Sequence, residues 1–244
     1  MTQIDILTLF PKIISSYADE SIIKRARAKK LVKIAAHDIK DFALGKHRKV
    51  DDRPYGGGAG MVMMAEPILR AIDHIKNQPK ADLPRAESVK TKPKIIILSA
   101  KGIQFNQKKA LDLSRKHKHL ILISGRYEGI DERVKKILRA EEISIGPFVM
   151  TDGDIGALAI TSAVVRLLHG VLGNEESLTE ESFLDINHTA LRLYGSTALT
   201  EYPHYTRPEI LKYKNRGYAV PKILLTGDHK KIQEWRAEKS ADID

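Results

Sequence analysis

The feature that most constrains the fold is an alternation of continuous apolar runs with helical patterns across the middle of the chain. Lys94–Leu98 and His119–Ser124 carry consecutive apolar residues, which is typical of strands covered on both faces. Helical patterns lie between and after them, over Asn106–His117, Asp131–Arg139 and Asp154–Leu168. This alternation predicts an α/β fold with a parallel sheet between two layers of helices.

The same pattern extends toward the amino terminus and past the second apolar run. Further strands are predicted at Ile4–Leu9, Leu31–Ile39, Glu142–Ile145 and Phe148–Met150. A basic amphipathic helix is expected from Pro11 to about Lys29, and another helix over Glu66–Lys76. Sheets of this kind bind ligands in the loops at the carboxyl ends of their strands.

The charge of the chain indicates a polyanionic partner. It has 41 Lys and Arg against 31 Asp and Glu, a formal net charge of +10, and a basic surface binds phosphates by releasing their counterions. There is no cysteine, which excludes disulfides and thiolate sites and fits a cytoplasmic location. No signal peptide or membrane-spanning stretch is expected from the sequence.

The composition changes at Gly170, where an acidic segment interrupts a basic protein. We predict three parts: a catalytic domain over residues 1–169, a flexible acidic linker over 170–187, and a small, mainly helical domain over 188–244 that ends in a helix at Asp228–Lys239. No internal repeat is found.

The first loop whose residues could bind a ligand is Asp51–Met61. It has four glycines in five positions and follows the basic run Lys46–Lys49. Its backbone could approach a phosphate closely, and Tyr55 could stack on a base. A flexible surface turn is an equal alternative. The loop lacks the ending of a Walker motif.

Two further glycine-bearing loops, Ser124–Gly129 and Ser144–Gly156, follow predicted strands. They could wrap an adenosine, although Arg126, Glu128 and their charged neighbours could instead form a solvated ion-pair network. The pair Asp152 and Asp154 lacks the further ligands of a calcium loop. Leu98–Gly102, after the strand Lys94–Leu98, reads by itself as an ordinary turn.

Two other features bear on RNA chemistry. Arg166 lies on a mostly apolar helix, where it is either paired or functional. The loop Tyr202–Pro208 interleaves aromatic, histidine and arginine residues, a pattern that suits single-stranded RNA as well as a loop packed on its own domain.

Taken together, the motifs are more specific than any one of them. The segments HRKVDDRPYGGGAGM, LISGRYEGIDERV, SIGPFVMTDGDIGA, GVLGNEES and PHYTRPE occur in this order over nearly the whole chain. They closely resemble the bacterial tRNA (guanine-37-N1) methyltransferases of the SPOUT superfamily. The resemblance implies a knotted α/β domain, a homodimer with the active site at the subunit interface, S-adenosylmethionine as methyl donor, and the tRNA anticodon arm as partner.

The resemblance also assigns residues by motif. Donor contacts fall on Leu98, Ser99, Gly125, Tyr127, Glu128, Gly129, Ile145, Gly146, Pro147, Phe148, Val149, Met150 and Gly153. RNA contacts fall on His47, Arg48, Asp52, Arg53, Tyr55, Gly57, Gly58, Gly60, His204 and Arg207. The catalytic residues are Glu181, as the base for the N1 proton, and Arg166, which with or without Mg²⁺ would stabilise charge on O6.

The chain departs from the family pattern at several positions. Glu181 stands where the family has aspartate, so Glu180 and Asp185 are rival bases, and Glu201 replaces another aspartate. The segment 186–200 is longer than in the family, and the chain stops soon after Trp235-Arg236. Open alternatives are a SPOUT relative that acts on ribosomal RNA or another tRNA position, a non-catalytic RNA-binding protein, and a nucleotide-binding protein without RNA.

Overall fold

The computed structural model describes residues 1–78, 92–173 and 202–240. The chain forms two compact units, Met1–Gly173 and Asn174–Asp244. Most of the predicted linker, residues 170–187, lies outside the described residues, so the three-part division stays a prediction.

The first unit is built on a five-stranded parallel sheet with the order β2-β1-β6-β5-β7. Its strands are β1 (Thr2–Thr8), β2 (Val32–Asp38), β5 (Lys94–Gln104), β6 (His119–Ser124) and β7 (Glu141–Ser144). The short strands β3 (Asp51–Asp52) and β4 (Val62–Met63) pair separately. The helices are α1 (Pro11–Ala18), α2 (Ser21–Ala28), α3 (Ala65–Asn77), α4 (Gln107–Lys116), α5 (Glu132–Leu138) and α6 (Asp154–Val165). The predicted α/β fold with a parallel sheet is confirmed, whereas the knot stays a prediction.

Helices cover both faces of the sheet, which explains the uninterrupted apolar runs. In β6, Leu120 and Leu122 pack in one core with α1, α2, α4 and α6. Ile121 and Ile123 pack in a second core with α3 and α5. Successive side chains of a strand point to opposite faces, so a strand between two cores is apolar at most consecutive positions.

Two predicted elements were wrong. The helix expected from Pro11 to Lys29 is two helices, because the chain turns at Asp19 and Glu20 and Ser21 has a φ of 50°. Arg27 holds this turn by donating to the Ala18 carbonyl at 3.1 Å and to the Asp19 carboxylate. The strand expected at Phe148–Met150 is a loop.

A third difference is the length of β5, which continues past the predicted end at Leu98 to Gln104. Leu98 and Ile103 both align with Ile143 of β7, so the strand bulges between them and pairs with β7 again. Gly102 makes the second pairing possible, since a Cβ there would lie 2.5 Å from the Glu142 carbonyl carbon.

The described part of the second unit begins with the loop that starts at Tyr202. It continues with a β-hairpin of β8 (Ile210–Tyr213) and β9 (Arg216–Ala219), a 3-10 helix at Lys222–Leu225, and α7 (His229–Ser240). The final helix was predicted to within one residue at each end, but the hairpin was not predicted. None of the helices in the described ranges has the length and apolarity needed to cross a bilayer.

Candidate functional site

A cavity of about 400 Å³ lies at the carboxyl edge of the sheet in the first unit. It is walled by the bulge of β5 after Leu98 and by the loops that follow β6 and β7. Ligand-binding cavities in proteins have volumes of about 300–1,000 Å³. The position agrees with the general rule for ligand sites in parallel sheets.

These three segments come into contact at one corner of the cavity because glycine occupies the contact points. The Gly153 amide donates to the Gly125 carbonyl at 2.8 Å. A Cβ on Gly153 would lie 2.9 Å from both the Gly125 nitrogen and the Leu98 Cβ, and one on Gly125 would lie 3.2 Å from the Leu98 carbonyl oxygen. Any side chain at Gly153 would therefore push the loops apart.

The loop after β6 turns back sharply before α5. Tyr127 has a φ of 59° and Gly129 a φ of 128°, backbone conformations that are costly for most residues with a side chain. The turn is held by the Glu128 amide, which donates to the Met61 carbonyl at 3.0 Å. The Glu128 carboxylate rests against Gly60, where a Cβ would lie 2.4 Å from it. The glycine-rich loop Gly56–Gly60 thus ends against the cavity wall.

The loop after β7 folds over itself. The Phe148 ring lies against Gly146, where a Cβ would come within 2.2 Å of it, and the Ser144 hydroxyl donates to the Gly146 carbonyl at 2.8 Å. Val149 is 87% exposed at the cavity mouth. This folding is the physical reason why the predicted strand at Phe148–Met150 does not form.

An ion pair joins two of the walls. The Arg126 guanidinium donates to Asp152 Oδ2 at 3.1 Å and stacks on the Phe10 ring at 4.4 Å. Burial alone would raise the pKa of Asp152, but the hydrogen bonds from Arg126, Thr151 and the Asp154 amide hold it below its ordinary value. Asp152 is therefore a fixed negative charge in the cavity wall at neutral pH.

A second group of charges also lines the cavity. Lys101 contacts Glu132 at 3.1 Å and Glu142 at 3.4 Å, and Lys135 also pairs with Glu142. The sequence analysis did not identify this network, because its members come from three separate segments and no short motif joins them. Only the β–α alternation, which places these segments at one edge, could have indicated it.

The structure brings together nearly all of the predicted donor residues. The cavity wall contains every one of them except Gly146 and Pro147, which lie in the same loop. Residues that the sequence analysis did not assign to the donor also line it, among them Arg126, Asp152 and the Lys101 network. Whether the predicted residues contact a methyl donor stays a prediction.

The predicted RNA residues of the first unit lie in the exposed connection between β2 and β4. Tyr55 is fully exposed, and glycines 56, 57, 58 and 60 all have positive φ. Arg48 is engaged with Asp41 and donates to the Lys40 carbonyl at 3.0 Å. Asp52 pairs with Lys49 at 3.0 Å, while His47 and Arg53 are exposed. The loop is held at its base by pairing of Asp51 and Asp52 with β4.

The two predicted catalytic residues are not brought to the cavity within the described chain. Glu181 and its rivals Glu180 and Asp185 lie outside the described residues. Arg166 caps the carboxyl end of α6, whereas the cavity is lined by Gly153 and Gly156 at its amino end. At 1.5 Å per residue these ends are about 18 Å apart.

In the second unit, the predicted RNA residues His204 and Arg207 are exposed. Their loop packs on α7 through neighbouring rings, since Tyr205 lies 6.4 Å from Trp235 and Arg236 stacks on Tyr202 at 4.6 Å. The loop is therefore anchored at its aromatic residues and presents polar ones outward.

Nothing in the described ranges gathers three or more side chains suited to hold a metal ion. The cavity does have the chemistry to fit an adenosine-bearing cation. Apolar side chains such as Leu98 and Ile145 offer surface for a base, and Glu128 and Asp152 supply negative charge.

Comparison with known proteins identifies close relatives. The sequence model of the tRNA (Guanine-1)-methyltransferase TrmD family matches residues 2–243. A tRNA (guanine-N(1)-)-methyltransferase of Carboxydothermus hydrogenoformans is 47% identical over 238 residues, which cover 98% of this chain and 82% of the relative. Those of Geobacillus kaustophilus and Clostridioides difficile are 46% and 44% identical over 98% of this chain, covering 86% and 92% of the relatives.

Proposed function

Because the chain belongs to the tRNA (guanine-1)-methyltransferase family, we propose that it transfers a methyl group from S-adenosylmethionine to N1 of guanine at position 37 of tRNA. A carboxylate accepts the N1 proton in this proposal. The anticodon arm is the part of the tRNA that it binds, in the cytoplasm. The observation that carries the proposal is the cavity, in which loops from three strands assemble the residues assigned to the donor.

The donor supplies an activated methyl group on a sulfonium, and the chain's own residues bind and orient it. The cavity wall includes the apolar side chains of Leu98, Ile145 and Met150, which would hold the adenine. The carboxylates of Glu128 and Asp152 would attract the positive charge of the sulfonium. Because Asp152 is held by Arg126 at 3.1 Å, the negative charge is fixed in position before the donor binds.

The acceptor side requires groups that a single copy of the first unit does not place at the cavity. Guanine N1 is protonated at neutral pH, so it becomes a nucleophile as a base removes that proton. Glu181 is the proposed base, and Arg166 stabilises the negative charge that gathers on O6, with or without Mg²⁺. The distance of about 18 Å along α6 supports a homodimer in which Arg166 of one subunit serves the cavity of the other.

The test is transfer of a radiolabelled methyl group to tRNA. Transcripts with guanine at position 37 are compared with transcripts that carry another base there, each with and without Mg²⁺. We expect label in the first set only, and mapping of the product would show methyl on N1. Label at another nucleotide, or on ribosomal RNA alone, would reject the substrate proposed here.

The base is tested by Glu181→Gln, with Glu180→Gln and Asp185→Asn as matched controls in the same segment. We expect Glu181→Gln to bind the donor normally. Its turnover rate should fall by about 10²–10⁴-fold, which is the usual contribution of a general base. The controls should keep turnover. Near-normal methylation by Glu181→Gln would remove it from the role, and loss in a control instead would assign the role to that residue.

A further inference from the structure

The β-hairpin Ile210–Ala219 of the second unit presents aromatic and apolar side chains to solvent. Every residue of β8 and β9 is exposed. Tyr213 is 59% exposed and Tyr218 53%, which is high for large rings. No residue that the resemblance assigned to RNA lies in this hairpin, so its surface has no role in the function proposed above.

The strand register places the rings on one face. Leu211 lies opposite Tyr218, and Tyr213 lies opposite Arg216. Alternation along each strand then puts these four side chains on the same side, while Ile210 and Lys212 point to the other. Tyr213 and Tyr218 are diagonal neighbours, a separation that leaves each ring accessible.

The turn fixes this arrangement. Lys214 and Asn215 have φ angles of 45° and 60°, and a two-residue turn with both angles positive matches the twist of a hairpin. The Lys214 ammonium lies 5.5 Å from the centre of the Tyr213 ring. A positive charge is thus held beside an exposed aromatic face.

The charges favour RNA over a protein partner. The hairpin carries Lys212, Lys214 and Arg216 and contains no carboxylate between residues 210 and 219. Lysine is depleted in the cores of protein interfaces, whereas cations beside exposed rings are the arrangement that binds single-stranded nucleic acid. The hairpin also directly follows the loop of His204 and Arg207.

We infer that this hairpin is an RNA-contacting element, in which Tyr213 and Tyr218 stack on unpaired bases and Lys214 contacts a phosphate. The inference rests on the proposed function, because it takes the RNA to be the methyl acceptor. It adds a second contact surface within the second unit. Its role is to bind and position the RNA, with no part in the chemical step.

The test compares Tyr213→Ala and Tyr218→Ala with Ile210→Ala, an exposed residue on the opposite face of the same hairpin. We expect each tyrosine variant to raise the Kd for tRNA between about fivefold and a hundredfold, the range for one stacked base. The KM for tRNA should rise similarly, with kcat and donor affinity unchanged. Tyr213→Phe keeps the ring and should restore binding.

Lys214→Ala tests the phosphate contact separately, with Lys24→Ala, an exposed lysine of α2, as control. Loss of one contact should reduce the slope of log K against log salt by about 0.7–1. Lys214 lies in an exposed turn, so this variant should fold even where a tyrosine variant does not.

Wild-type tRNA affinity in both tyrosine variants and an unchanged salt slope in Lys214→Ala would overturn the inference. So would an equal loss in Ile210→Ala, or a fall in sedimenting mass, which would make the hairpin a contact between two copies of the chain. The proposed function fails separately, if the wild type binds tRNA and methylates none. The hairpin variants are then judged on Kd alone, and a wild type that binds no RNA overturns both.

Discussion

Asp5 is a buried carboxylate in the middle of the sheet, and its replacement by asparagine gives a sharp test of how the first unit is held together. It is 1% exposed on β1. His37 of β2 donates to its Oδ1 at 2.7 Å, and His119 of β6 and Gln3 donate to its Oδ2 at 2.7 and 2.8 Å. Both histidines must donate through Nε2, since a carboxylate only accepts.

The contribution of ionised Asp5 to the free energy of unfolding follows from its pKa. Burial alone would raise this pKa, but the hydrogen bonds from His119 and His37 and their charges outweigh burial and lower it from 3.8 to about 2. At 1.36 kcal/mol per unit, the ionised form stabilises the folded state by about 2 kcal/mol at neutral pH. A depressed carboxyl pKa gives stability that is present above pH 4 and is lost as the pH falls toward 2. At pH 3 about half of this stabilisation remains.

Urea unfolding followed by circular dichroism measures this contribution between pH 6 and pH 3. We expect Asp5→Asn to lower the free energy of unfolding by about 2 kcal/mol at pH 6, because the amide can accept fewer hydrogen bonds and carries no charge. The difference from wild type should shrink by about 1 kcal/mol by pH 3. Asp73→Asn is the control, since Asp73 is an exposed carboxylate of α3.

Two results would refute the reasoning. A difference between wild type and Asp5→Asn that stays constant from pH 6 to pH 3 would mean that the pKa of Asp5 is not depressed. An equal pH dependence in Asp73→Asn would mean that the effect comes from net charge and not from the buried cluster.

Two predictions concern the cavity. Gly153→Ala should raise the donor Kd at least about tenfold in calorimetry, because its Cβ would lie 2.9 Å from the Gly125 nitrogen and overpacking moves backbones. Gly173→Ala, with open space around it, should bind normally; equal losses would point to a general effect of alanine. Asp152→Asn should weaken donor binding by about tenfold, since Arg126 loses its charged acceptor. An unchanged Kd would place this pair outside the binding contacts.

The sheet could be predicted from the sequence because burial on both faces leaves a direct signature. The middle of a strand such as β6 has four consecutive apolar residues, Leu120 to Ile123, and few other structures require that. The break between α1 and α2 could not be predicted, because the amphipathic pattern continues through Asp19 and Glu20. What stops the helix is a tertiary arrangement in which Arg27 reaches the Ala18 carbonyl.

In the cavity, too, the positions of single loop residues could be predicted from the sequence, whereas the contacts between loops could not. Gly125 and Gly153 could be identified as loop glycines from their place after strands, but their contact at 2.8 Å depends on β5, β6 and β7 lying side by side. The network of Lys101, Glu132 and Glu142 depends on the same neighbour relations. Which strands are neighbours in the sheet depends on the packing of the whole core, so it cannot be predicted from any short motif.

The residues assigned to the donor and those assigned to the acceptor lie in different segments of the chain. The cavity is complete within the first unit, and its loops are locked by backbone contacts such as Gly153 to Gly125. The groups assigned to the acceptor lie in the loop His47–Gly60 of the first unit, at the far end of α6, at Glu181, and in the second unit. Changes at Glu181 or in the hairpin should therefore leave donor affinity intact, whereas Gly153→Ala should lower it before RNA is added. Donor binding and methyl transfer measured on the same variants are then two independent readouts, and only the second requires both units.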